Sequence, residues 1–140
     1  DDDFLIHDKI HDLTGKGAYD FRKDSIIPML WATVIVFEKT QRAKSIFDMV
    51  KYIKKHYQYF CDLYRIDFRN FRNDYAFTIA LNQVNGHTQQ KFLPGNLPTL
   101  PGIAKVLEIK DNGIIFKYDN KINFVEDQDV HIIDKELYNV

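Results

Sequence analysis

The chain has 140 residues, of which 45% are hydrophobic and 28% charged, and a formal net charge of −1. That is the length of one domain with one core and the composition of an ordinary soluble globular chain, which excludes a disordered one. The near-neutral charge gives no footprint for nucleic acid or an anionic membrane, and no apolar run approaches the ~20 residues that span a bilayer. Cys61 stands alone, which excludes an internal disulfide and points to a reducing, cytoplasmic setting.

In chain order, Asp1-Asp2-Asp3 opens onto apolar Phe4-Leu5-Ile6, read as a strand, and the stretch from Asp8 to Leu13 reads as a short helical turn. Gly15-Lys16-Gly17 is a flexible turn, and residues 19–25 are polar loop or edge strand. After Pro28, residues 29–37 are rich in β-branched and aromatic side chains around Trp31, which predicts a buried strand. From Ala43 to Tyr64, apolar residues recur at three- and four-residue spacing, the pattern of one long amphipathic helix with Thr40 as its N-cap. A second helix is expected over residues 73–85, ended by Gly86. Residues 93–102 hold three prolines and two glycines, a composition that argues against helix or central strand. Short strands follow over residues 104–109 and 114–118, joined at Asp111-Asn112-Gly113, the strongest short hairpin signal in the chain. Asp119-Asn120 turns into a further strand at 121–125, another follows at 130–133, and a helical turn is expected at 134–138.

The order of these features resembles the metal-binding and acceptor-binding part of GT-A nucleotide-sugar glycosyltransferases. The resemblance rests on Asp-x-Asp at Asp1 and Asp3, the Trp31 strand, the long helix, Arg72-Asn73-Asp74, the Pro-rich loop, the hairpin and Asp129-Val130-His131. It implies an α/β fold with a mixed sheet, and a single domain, residues 1–140, corresponding to the C-terminal portion of a longer enzyme. It further implies that Asp1, Asp3 and His131 hold Mn²⁺ or Mg²⁺, ions suited to carboxylate oxygens and one imidazole. Lys135 would contact the donor diphosphate, and Arg72, Asn73 and Asp74 the carbohydrate acceptor, with Asp74 as the catalytic carboxylate. The partners implied are a nucleotide-sugar donor and a carbohydrate acceptor. Base and ribose recognition in that family lies mainly before the Asp-x-Asp, so the resemblance implies little or no transfer by this chain alone.

Each feature also has a plain structural reading. An acidic triplet is a common solvated segment. A histidine among Val130, Ile132 and Ile133 is commonly structural, and Asn73 and Asp74 suit a helix N-terminus on capping and dipole grounds alone. His7 and His11 are spaced for one helix face, but no glutamate follows His7 in the zinc-protease pattern. Cys61 falls on the apolar stripe and reads as core. Two rival classes remain: a non-catalytic carbohydrate- or protein-binding module, and another divalent-metal enzyme such as a phosphohydrolase.

Overall fold

The computed structural model describes residues 2–15, 27–66, 70–86 and 90–132. Asp1, Lys135, the polar segment at 19–25 and the helical turn expected at 134–138 lie outside them. Among the described residues three helices and eight strands form a mixed α/β fold, divided into two compact units. The single mixed sheet that the sequence suggested is instead three small sheets.

The first unit takes residues 1–9 and 20–95. Strand β1 (Phe4–His7) pairs antiparallel with β3 (Trp31–Phe37). Helix α1 (Gln41–Lys55) starts where the Thr40 hydroxyl accepts the Ala43 amide, the cap that the sequence signalled. The apolar stripe runs on unbroken, but the helix does not. At His56, with φ −120° and ψ 37°, the backbone leaves helical geometry before α2 (Tyr57–Tyr64) resumes. Helix α3 (Asn73–Asn85) ends at Gly86, whose φ of +61° suits glycine. Phe4, Phe47 and Phe77 meet at 5.7–6.1 Å between ring centroids, and with Ile46, Ile53 and Ile79 they make the core between β1, α1 and α3. Strand β3 was expected to be buried. Val34, Val36 and Phe37 are exposed instead, because among the described residues β3 is an edge strand with β1 as its one partner.

The second unit takes residues 10–19 and 96–140. The helical turn expected near residues 8–13 is replaced by strand β2 (Ile10–Asp12), which runs parallel to β4 (Leu97–Leu100), itself parallel to β8 (His131–Ile132). A strand inside the proline-rich loop contradicts the sequence reading. The register explains it: β8 reaches only Thr99 and Leu100, and Thr99 turns its carbonyl to β2 by accepting the Leu13 amide. Parallel strands address alternate neighbours with alternate residues, so Pro98 falls where β8 offers no partner residue, and its missing N–H costs nothing. The other sheet is a meander of β5 (Lys105–Lys110), β6 (Gly113–Tyr118) and β7 (Lys121–Glu126). Both expected hairpins form, and Asp119 and Asn120 sit at φ +52° and +61°, the left-handed pair that matches the strand twist. Leu100, Ala104, Val106, Phe116 and Ile132 form this unit's core.

Candidate functional site

The first unit gathers the Arg72-Asn73-Asp74 motif and the Trp31 strand at one corner. Its cause is a break in the β1–β3 ladder. Phe4, Leu5 and Ile6 pair with Phe37, Val36 and Ile35, but His7 pairs with Trp31, so residues 32–34 bulge out of register. A bulged strand presents amides that the ladder cannot satisfy, and unsatisfied buried amides are costly. Here α3 supplies the acceptors. Asp74 Oδ1 accepts the Ala32 amide at 2.8 Å and Thr78 Oγ1 accepts the Leu30 amide at 2.8 Å, one helical turn further on. Thr78 in turn donates to the Asp74 carbonyl at 2.6 Å.

Asp74 Oδ2 accepts from Arg72 Nη2 at 3.2 Å, and the Arg72 guanidinium lies 5.8 Å from the centroid of the Tyr75 ring. The Arg72 amide donates to the Tyr57 hydroxyl, a phenol that burial holds well above its ordinary pKa and keeps neutral. Asn73 does not cap α3; it is the first helical residue, and no side chain caps that end. Asp74 therefore ties β3 to α3 rather than serving its own helix. Its side chain is 18% exposed, and each carboxylate oxygen has lone-pair capacity beyond the one bond described. His7 stands directly across from Trp31, a position whose side chains share a face of the pair. It is buried, and its Nδ1 has no hydrogen-bond partner among the described residues.

Asp3 is committed elsewhere. Its Oδ1 accepts from Arg42 Nη1 at 2.6 Å and its Oδ2 from the Thr40 hydroxyl at 2.7 Å, with the carboxylate 12% exposed. These partners hold its pKa below the usual aspartate value: the Thr40 hydrogen bond first, the Arg42 charge next among the lowering causes, against partial burial that raises it. Arg42 also donates to Asn85 Oδ1 at 2.8 Å and Gln90 Oε1 at 2.7 Å, so one guanidinium fastens β1, the start of α1 and the end of α3. A cation at Asp3 would have to displace that guanidinium.

Asp1 and Lys135 are outside the described residues. His131 lies on β8 of the second unit, half-buried, beside Thr99 in register. Among the described residues no group of three or more His, Cys, Asp or Glu side chains comes together to hold a metal ion. Nor is any helix of those residues long and apolar enough to cross a membrane. Cys61 is fully buried, and burial pushes its thiol up, away from a reactive thiolate, in keeping with its place on the apolar stripe.

Sequence reasoning missed Arg42, Thr78 and the cross-strand position of His7. Arg42 belongs to no motif and gave no signal of its own. Thr78 and the bulge gave no local signal at all. Comparison with protein-family models, with curated proteins and with solved structures gave no match.

Proposed function

We propose that the chain serves glycosyl transfer from a nucleotide-sugar donor to a sugar or other hydroxyl acceptor, with Asp74 and Arg72 on the acceptor side. The observation that supports this most is the partly exposed arginine–carboxylate pair at the bulged end of the Trp31 strand. A carboxylate fixed by the Ala32 amide is pre-oriented, and its remaining lone pairs can accept an acceptor hydroxyl proton's hydrogen bond. Arg72, held beside it at 3.2 Å, supplies a counter-charge at the same corner.

Mn²⁺ or Mg²⁺ belongs to this chemistry in the family the sequence resembles, where it neutralises the diphosphate as it leaves. The fit here is poor: Asp3 has both oxygens taken by Arg42 and Thr40, and the proposal assigns the ion no residue. That commitment also favours a second reading, carbohydrate binding without turnover.

The test is a screen of UDP- and GDP-sugars with Mn²⁺ and a panel of sugar acceptors, beside generic phosphatase substrates. Transfer from one donor, lost in Asp74→Asn at unchanged circular dichroism, is the expected result. Turnover of phosphomonoesters would replace the reading with a phosphohydrolase. Sugar binding without transfer would select the non-catalytic reading.

A further inference from the structure

A cleft of about 270 Å³ lies in the first unit along the later turns of α3, just below the ~300–1,000 Å³ usual for small-molecule sites. Pro28, Leu30 and Leu81 give it an apolar wall, and the half-exposed ring of Phe92 offers a stacking surface. Its polar lining is Thr78, Asn82, Asn85 and Gln90, and none of the described residues lining it is ionisable. The nearby Arg42, bonded to Asn85 and Gln90, is already paired with Asp3, so an ionised ligand finds no spare counter-charge and the chemistry selects a neutral one.

The amides differ in what they can still bind. Gln90 is saturated: Oε1 accepts from Arg42 and Asn85, and Nε2 donates to the carbonyls of Phe4 and Lys91. Asn85 accepts from Arg42 and donates to Gln90, which leaves one N–H and one lone pair. Asn82 Oδ1 accepts from the Tyr64 hydroxyl at 3.0 Å, and among the described residues its Nδ2 makes no hydrogen bond, which leaves two N–H groups and one lone pair. The two asparagines thus keep three donors and two acceptor lone pairs beside an aromatic face, with Asn85 fixed in place by Arg42 and Gln90. Paired donor and acceptor capacity is what a hydroxyl group needs, since it gives one hydrogen bond and takes others.

We propose that this cleft binds one neutral polyhydroxylated ring, either a monosaccharide or a cyclitol. The proposal does not depend on the transfer reading, because the cleft is lined by residues other than Arg72 and Asp74. Titration of the whole chain with methyl glycosides of common hexoses and, separately, with myo-inositol, followed by NMR, tests it. Saturable shifts at Asn82, Asn85 and Phe92 are expected with at least one of the two classes, and the class that binds identifies the ligand. Asn82→Asp keeps an oxygen for Tyr64 while removing both free N–H groups, and Phe92→Ala removes the ring; each should weaken binding about tenfold or more. Should Asn82→Asp fail to fold, Phe92→Ala at an exposed position still gives the measurement. No saturable binding by either class, or equal affinity in a folded variant, would overturn the proposal.

Discussion

At the scale of single residues, the carboxylates that looked catalytic turn out to be fasteners first. Asp74 satisfies the bulge amide of Ala32, so Asp74→Ala orphans that backbone donor and removes the Arg72 ion pair, a loss of about 1–3 kcal/mol in chemical denaturation. Asp74→Asn keeps an oxygen for Ala32 and loses only the partly exposed ion pair, so less than about 1 kcal/mol is expected. Equal losses from the two substitutions would remove the bulge-fastening role. Asp3 makes a pH-dependent prediction. Its folded pKa lies below the ordinary value, so its stabilisation is present above about pH 4 and disappears as pH falls through the depressed folded value. Asp3→Asn should therefore be less stable than the native chain at neutral pH, with the gap narrowing under acid. A gap that stays constant from pH 7 to pH 3 would deny the Arg42–Thr40 clasp. Asp3 was legible as an acidic residue ahead of a strand. Its partners were not, because Arg42 stands 39 residues from Asp3, 43 from Asn85 and 48 from Gln90. No local pattern records contacts made at such separations.

Elements show the same division between local and non-local causes. Helix α3 begins and ends where the sequence placed it, and Thr40 caps α1, since a cap and a terminal glycine act within one turn. The two hairpins were legible for the same reason. The break at His56 was hidden, because the apolar period continues across it and only the backbone departs. The parallel set β2–β4–β8 was hidden too: its strands come from residues 10–12, 97–100 and 131–132, and Pro98 disguises the middle one. One glycine makes a sharp test of the meander. A Cβ on Gly113 would meet the Val125 carbonyl and come within 2.7 Å of the Phe124 ring, across the β6–β7 ladder. Backbone on one side and a ring on the other leave no room to relax, so Gly113→Ala should cost about 1–3 kcal/mol. No such loss is expected at Asn120→Gly, where a left-handed residue of the two-residue turn is replaced by one that adopts that conformation freely; that variant should fold with little change in stability. A Gly113→Ala protein as stable as the native chain would mean that the β6–β7 register is wrong.

Across the whole molecule, burial is uneven, and this sets where the backbone opens. In α3 every residue from Tyr75 to Leu81 is buried, the amides from Ala76 onward are bonded within the helix, and Thr78 and Asp74 tie it to the β3 segment. Exchange of those amides requires the first unit to lose its core. The meander is different. Among the described residues strand β7 pairs with β6 alone, so every second amide points away from a described partner, and Ile122 and Phe124 on it are exposed at 69% and 47%. Few buried apolar contacts and a single ladder give a low opening free energy, which hydrogen exchange reads directly. Native-state exchange followed by mass spectrometry should therefore find the slowest amides in α3 and the fastest strand amides in β7. Adding a sugar that occupies the cleft along α3 should slow exchange near Asn82 and Asn85 and leave β7 unchanged. Protection in β7 equal to that in α3 would mean that its open face is covered in solution, and the exposed Leu107, Ile122 and Phe124 would then be part of an interface rather than a free surface.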